Sequence, residues 1–200
     1  MDTRGMLSDE RRDLVALLRT LTDSDWEAPS LCAGWRVRDV VAHMVGITLP
    51  LGSYARKAVL AGSADRLNDR LVDELRTLSP GELVDRIASA ADGGWDTRLI
   101  PSIMLADTVV HHQDIRRPLG RPRTVPAPRL VSVLERPDPF ARPGRRIRGL
   151  RLVATDVSWS KGAGPEVRGP GEALALAMAG RAVAMDELDG DGVELLRSRL

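Results

Sequence analysis

Leu105-Ala-Asp-Thr-Val-Val-His-His-Gln-Asp-Ile-Arg116 contains two of the three histidines of the chain, together with two aspartates. Asp107, His111 and Asp114 stand at i, i+4 and i+7, so on a helix that turns about 100° per residue they lie within about 60° of one another. Apolar residues flank this polar stripe. With His43 from an earlier segment, the stripe predicts a nitrogen and oxygen ligand set for a divalent ion that keeps one position open.

His43 lies in the middle of a predicted helix that follows Trp35 and carries an apolar stripe. An isolated histidine in such a setting is more often a core residue with one hydrogen bond. We favour the ligand interpretation because every histidine of the chain falls in one of two amphipathic helices, and one of these also carries helically spaced carboxylates. Cys32, just before the helix, is interpreted as a small buried apolar residue in preference to a reactive thiol.

The neighbours of His111 are expected to have supporting roles. Adjacent side chains point about 100° apart on a helix, so His111 and His112 cannot both face the polar stripe. We expect His112 to be partly exposed, or to support a ligand without touching the ion. Asp114 could itself be a ligand, but a carboxylate that accepts the second N–H of a ligating histidine fits this position at least as well.

The composition is that of an ordinary soluble protein of one or two domains. A formal charge of +1 over 200 residues gives no indication of a nucleic-acid or membrane partner. The single cysteine rules out an intrachain disulfide and a cysteine-rich zinc site. The charged amino terminus lacks an apolar leader segment, and no apolar run reaches the roughly 18 residues of a membrane span. We therefore expect a cytoplasmic monomer or homodimer with small-molecule partners.

Capping residues and apolar spacing predict a helical first part and a mixed second part. Helices are predicted over residues 9–21, 36–45, 54–60, 65–78, 80–91 and from 103, with a loop at 95–102. Seven prolines between 116 and 144 mark a boundary that we place near residue 122. Beyond it, alternation predicts a strand over 147–160, a turn at 161–165, a second strand at 166–168, and helices at 172–179 and 191–199. The predicted domains are 1–122 and 123–200.

Two groups of motifs resemble a known family. Leu31-Cys-Ala-Gly-Trp-Arg-Val-Arg-Asp-Val-Val-Ala-His43 and Val110-His-His-Gln-Asp-Ile115 resemble the N-terminal domain of the mycothiol-dependent maleylpyruvate isomerase family. Leu150-Arg-Leu-Val-Ala-Thr-Asp-Val-Ser-Trp-Ser160 and Ala179-Gly-Arg181 resemble the C-terminal domain found in many members. The resemblance implies a DinB-like four-helix bundle with a metal site, followed by a small α+β C-terminal domain.

The resemblance also implies a ligand set. In the family, the metal is held by a histidine of the Trp-x-Val-x-Asp helix and by a Glu-x-x-x-His pair, and these positions fall on His43, Asp107 and His111. Asp107 departs from the family pattern, because aspartate is one methylene shorter than glutamate. Either the helix lies closer to the ion, or a water intervenes. The implied cofactors are a divalent metal, with zinc favoured, and mycothiol or a similar thiol.

Two classes of function remain open at this point. In the first, the metal lowers the pKa of a low-molecular-weight thiol, which attacks a small electrophilic substrate in an isomerase or transferase reaction. Arginines such as Arg36 or Arg116 could hold carboxylates of the substrate or the thiol. In the second, the protein is a non-catalytic small-molecule-binding or regulatory module whose metal site is structural or vestigial.

Overall fold

A computed structural model describes residues 2–200 of the chain as a mostly helical fold with one small sheet. The first part contains α1 Thr3–Leu18, α2 Asp23–Glu27, α3 Val37–Ile47, α4 Leu51–Ala61, α5 Ala64–Leu75, α6 Pro80–Ser89, α7 Trp95–Leu99 and α8 Pro101–Arg116. The second part contains α9 Ala127–Glu135, α10 Pro143–Ile147, β1 Arg151–Ala154, β2 Ser160–Gly162, β3 Glu166–Gly169, α11 Gly171–Met178 and α12 Val193–Arg197. Within 2–200, no helix is both long and apolar enough to span a bilayer.

The ends of the helices follow their capping residues. Ser79 caps α6 as predicted, since its hydroxyl accepts the Glu82 N–H at 3.3 Å and the Glu82 carboxylate accepts the Ser79 N–H at 2.8 Å. The predicted start of α1 near residue 9 is wrong. The Asp2 carboxylate accepts the Gly5 N–H at 2.7 Å and starts the helix at Thr3.

The segment before α8 was predicted as a loop through residue 102, and this is wrong. Residues 95–99 form the short helix α7, and α8 begins at Pro101. Proline suits the first helical position, because its φ is already helical and its missing N–H would have no partner there. The consequence is one more half-turn of α8 before the polar stripe, which lies well inside the helix.

Four helices, α1, α3, α6 and α8, pack against one another as the predicted bundle. The bundle core is a cluster of aliphatic side chains from all four helices, including Leu14, Leu18, Val41, Leu83, Ile87 and Ile115. Each of these side chains is almost fully buried, and such burial contributes about 1.5–3 kcal/mol per residue. The pairing of α3 with α8 brings the segment of His43 beside that of His111.

The sheet has the strand order β2-β1-β3, with β1 antiparallel to β2 and parallel to β3. The prediction of one strand over 147–160 is wrong, because β1 ends at Ala154 and the chain turns back. The Ala154 N–H donates to the Trp159 carbonyl at 3.0 Å, which closes the turn. Asp156, within the turn, accepts the Gly171 N–H at 2.8 Å and ties the turn to the start of α11.

The second part shares a hydrophobic core with the bundle. One cluster of buried side chains combines Met6 and Leu7 of α1, Leu105 and Val109 of α8, Leu130, Val133 and Leu134 of α9, Leu152 of β1, Val167 of β3, and Leu174 and Leu176 of α11. The fold is therefore a helical bundle followed by a small α+β part, as predicted. The boundary near residue 122 falls in the link between α8 and α9 and stays a prediction.

Candidate metal centre

His43, Asp107 and His111 meet on the wall of a cavity of about 630 Å³. His43 comes from the middle of α3, and the other two come from successive turns of α8. One ligand atom from each of the three residues lies within 4.8 Å of the others. The two helices thus bring together the three residues that the sequence singles out as ligands.

The distances from Asp107 to the two histidine nitrogens fit one shared ion. Asp107 Oδ1 lies 3.4 Å from His111 Nε2 and 3.7 Å from His43 Nε2. These separations exceed those of a normal hydrogen bond. Donors about 2.1 Å from a tetrahedral ion are about 3.4 Å apart, which is close to both values. The spacing fits direct contact of the shorter Asp107 side chain with an ion, while the ligand roles themselves stay a prediction.

The cluster attracts positive charge. Burial raises the pKa of Asp107, but the neighbouring His111 lowers it more, so the pKa lies well below its ordinary value. Burial lowers the pKa of His111, but the Asp107 carboxylate raises it well above its ordinary value. A buried carboxylate that holds a proton on its neighbour this strongly would also favour a cation between the two.

Asp114 orients His111. The His111 Nδ1–H donates to Asp114 Oδ2 at 2.9 Å, which leaves Nε2 free to face Asp107. This is the contact that a carboxylate makes when it supports a metal-bound histidine. Both Asp114 oxygens have protein partners, which favours the supporting role over direct ligation.

Arg181 and Cys32 complete the surroundings of Asp114, although neither is among the site residues predicted from the sequence. Arg181 donates from Nε to Asp114 Oδ1 at 2.9 Å and from Nη2 to Oδ2 at 2.6 Å. The Cys32 thiol donates to Asp114 Oδ2 at 3.1 Å and lies 3.7 Å from His111 Nδ1. Cys32 is half-buried on the cavity wall, so its interpretation as a plain buried apolar residue is wrong.

No spacing rule could have found Arg181, which lies 67 residues from Asp114 in sequence. The Ala179-Gly-Arg181 motif of the family resemblance was the available signal. Burial lowers the pKa of Arg181, but the bond to Asp114 raises it more, so it stays charged. Arg36, proposed from sequence as an anion holder, instead pairs with Asp39 at 3.0 Å and does not line the cavity.

His112 does not join the cluster. It is fully buried, so the prediction of partial exposure is wrong, and its hydrogen-bond partners within residues 2–200 are Glu10 and Arg116. Arg116 Nε donates to His112 Nε2 at 2.8 Å, so Nδ1 carries the proton that is donated to Glu10 at 2.8 Å. Burial lowers the pKa of His112 to about 4, with help from the charge of Arg123. Neither of these partners belongs to the candidate metal centre, so no contact supports the predicted role of His112 beside the ion.

The remaining cavity wall is mostly aromatic and aliphatic. Trp35 packs against His43 with ring centroids 5.4 Å apart, and the His43 and His111 rings meet edge to face at 4.9 Å. His43 Nδ1 is buried and has no hydrogen-bond partner within residues 2–200, so packing by Trp35 is what orients this ring. An apolar cavity with a few convergent polar groups is typical of a small-molecule site.

The chain is similar to known proteins both in sequence and in fold. Residues 7–93 match the family model described as the mycothiol maleylpyruvate isomerase N-terminal domain. The fold is similar to the crystal structure of a histidine-to-alanine mutant of mycothiol-dependent maleylpyruvate isomerase, with a TM-score of 0.63 and 14% sequence identity. That similarity covers 94% of this chain and 91% of the other, so it includes the α+β part. A search of curated proteins finds no match.

Proposed function

Because residues 7–93 match the model of the mycothiol maleylpyruvate isomerase N-terminal domain, we propose that the chain is a metal- and thiol-dependent isomerase or transferase. Its substrate would be a small electrophile, and its thiol would be mycothiol or a close analogue. The observation that carries the proposal is the convergence of His43 Nε2, Asp107 Oδ1 and His111 Nε2 on the cavity wall.

Zinc is the ion that we propose for these residues. Two imidazoles and one carboxylate, with a fourth position open to the cavity, form a donor set of catalytic zinc sites. When bound, the ion supplies a Lewis acid that lowers the pKa of a thiol reaching that open position. A reducing cytoplasm, the location that we propose, would keep such a thiol free of disulfides.

The chain's own residues orient the site and exclude water. Asp114 holds the proton of His111 on Nδ1, and Arg181 holds Asp114 from two of its nitrogens. The aromatic wall around Trp35 limits water near the donor atoms, which strengthens electrostatic interactions there. These contacts hold His111 with Nε2 toward the cavity.

The reaction class follows from thiol chemistry. The thiol sulfur forms a bond to an electrophilic carbon of the substrate. In an isomerisation, this addition opens a conjugated carbon–carbon double bond and moves its electron pair onto the adjoining carbonyl. The framework rotates about the resulting single bond, the electron pair returns to re-form the double bond, and the sulfur–carbon bond breaks, so the thiolate is returned. In a transfer, the bond persists and a leaving group departs with its electron pair.

The metal proposal predicts about one equivalent of zinc in the purified protein, measured by elemental mass spectrometry. His43→Ala and His111→Ala each remove a donor and should each abolish it. Asp114→Asn keeps all three donors and should weaken affinity by about 10- to 100-fold without abolishing binding. A metal-free protein whose thermal stability is unchanged in chelator would overturn the proposal.

Thiol dependence has a separate test. Calorimetric titration with mycothiol should give binding to the zinc-loaded protein and little or none to the His43→Ala variant, because the open coordination position is lost. Equal binding to both would place the thiol elsewhere in the cavity. No binding to the zinc-loaded protein would favour the non-catalytic module.

A further inference from the structure

A second cleft, of about 520 Å³, lies where the carboxyl ends of α1 and α8 meet the segment 121–126. Three arginines line it, Arg116, Arg121 and Arg123, and we refer to it as the arginine cleft. The threonine hydroxyls of Thr20 and Thr124 lie on the same wall. None of these residues lines the cavity of the candidate metal centre.

Carboxylates neutralise most of the positive charge around the arginine cleft. The pairs are Arg129 with Asp13 at 2.5 Å, Arg121 with Asp25 at 2.8 Å, and Arg123 with Glu10. Each of these carboxylates is thereby matched to an arginine, so none is left over for a further cation. The carboxylates around the cleft are used by two of its three arginines, Arg121 and Arg123, and by Arg129 beside it.

Arg116 is the arginine without a carboxylate. Its Nε donates to His112 Nε2 at 2.8 Å and its Nη1 donates to the Arg121 carbonyl at 3.2 Å, and both acceptors are uncharged. Among residues 2–200, no carboxylate oxygen lies within 4.0 Å of its guanidinium. The carboxyl end of α8 corresponds to about half a negative charge, which is too little to offset a full guanidinium. The cleft therefore carries surplus positive charge at Arg116.

Two N–H groups of the cleft arginines have no hydrogen-bond acceptor within the described residues. Arg116 Nη2 has no acceptor within the described residues, and Arg123 Nε is buried without a partner. Burial and the neighbouring Arg123 charge lower the pKa of Arg116, and the carboxylates of Glu10 and Asp13 offset only part of this effect. A buried donor without a partner is unfavourable, so Arg123 Nε is better satisfied with a ligand present. Arg116 Nη2 is not buried and can reach a ligand from solvent.

We propose that the arginine cleft binds a small oxyanion, the phosphate or carboxylate group of a metabolite, and that Arg116 is its principal contact. The guanidinium presents parallel N–H donors that match two oxygens of such a group. Thr124 adds a neutral hydroxyl donor at the rim. This site is separate from the proposed metal and thiol chemistry and does not depend on it.

The test is isothermal titration of the full-length protein with inorganic phosphate and, separately, with malonate, in buffers matched to the same ionic strength with chloride. At least one should bind saturably at one anion per chain, and the tighter of the two identifies the favoured group. Arg116→Gln should weaken binding by about tenfold or more, because it removes the unmatched charge. Heat that merely equals that of chloride addition would overturn the proposal.

Further variants keep the test decisive if Arg116→Gln is poorly folded. Thr124→Asp adds a negative charge to the cleft without removing a buried hydrogen bond and should also weaken binding, whereas Thr124→Asn should not. Arg56→Gln, on the exposed surface of α4, controls for net charge and should bind like wild type. His43→Ala should retain binding, which separates the arginine cleft from anions held at the metal centre. Unchanged binding in Thr124→Asp would contradict the assignment.

Discussion

At the scale of single residues, Asp107 determines how the candidate metal centre is built. The family pattern has glutamate at this position, and the aspartate must span the same space with one methylene fewer. The edge-to-face contact of the His43 and His111 rings, 4.9 Å apart, shows that α3 and α8 approach closely here. Of the two ways to accommodate a shorter carboxylate, closer helices are favoured over an intervening water.

Glu10 is a second residue whose surroundings set its chemistry. Its carboxylate is fully buried and accepts hydrogen bonds from His112, Arg123 and Arg129. Burial raises the pKa of Glu10, but the bond from His112 and the charge of Arg123 lower it more, to about 2. A pKa below the unfolded value means that the charged form stabilises the folded state.

We therefore predict that the difference in unfolding free energy between wild type and Glu10→Gln depends on pH. The contribution of the carboxylate is complete above the unfolded pKa of 4.5 and is lost as the pH falls through about 2. From pH 6 to pH 2, the difference in unfolding free energy between wild type and variant should shrink by about 3 kcal/mol. Urea denaturation at several pH values measures it.

Glu194→Gln is the matched control for this experiment, because Glu194 is 85% exposed. The unfolding free energy of Glu194→Gln should stay within about 0.5 kcal/mol of the wild-type value over the same pH range. A Glu10→Gln difference that is equally flat would show that the buried network does not depend on the charge of Glu10.

At the scale of elements, local capping decides where helices begin. In α6, Ser79→Ala removes one acceptor for the Glu82 N–H and should lower the unfolding free energy by about 1 kcal/mol. At the other end of the same helix, the Ser89 hydroxyl donates to the Asp85 carbonyl and does not cap any backbone N–H. Ser89→Ala should therefore change the unfolding free energy by less than about 0.5 kcal/mol. Thermal denaturation compares the two, and equal losses would contradict the capping role of Ser79.

The same elements show what the sequence could predict. Apolar periodicity locates the helices because each buries one face, and it places Asp107 and His111 on one side of α8. The starts at Asp2 and Pro101 were missed, since capping geometry and proline tolerance depend on a few backbone atoms. The sheet was predicted wrongly because a backbone hydrogen bond between Ala154 and Trp159 closes the turn that ends β1. The alternation of apolar and polar residues does not reveal such a bond.

Contacts between distant segments were the least predictable feature of the site. Arg181 follows α11, yet it holds Asp114 of α8, and Cys32 reaches the same carboxylate from the loop before α3. Periodicity describes one element at a time, so it contains no information on which loops meet it. His112 was misjudged for a related reason, because its partner Glu10 comes from α1.

At the scale of the whole molecule, the shared core argues against independent halves. Met6, Leu7, Met104, Leu105 and Val109 belong to the helical part but are buried in one cluster with α9, α11 and the sheet. Removing residues 123–200 would expose these five side chains to water. At about 1.5–3 kcal/mol for each, the loss is on the order of 10 kcal/mol, which equals the entire stability of a typical domain.

We therefore predict that residues 1–122 alone do not form a cooperatively folded domain, and that the full chain unfolds in one calorimetric transition. The isolated fragment should lack near-ultraviolet circular dichroism from its tryptophans and should bind a hydrophobic dye, because its core face is uncovered. Adding residues 123–200 as a separate polypeptide is the control, and it should restore at least part of the signal if the shared core is the cause. A fragment that melts sharply near the temperature of the full chain would show instead that the bundle is self-sufficient. The boundary near residue 122 would then separate two independent folding units, and the Arg181 contact with Asp114 would be an interface between them.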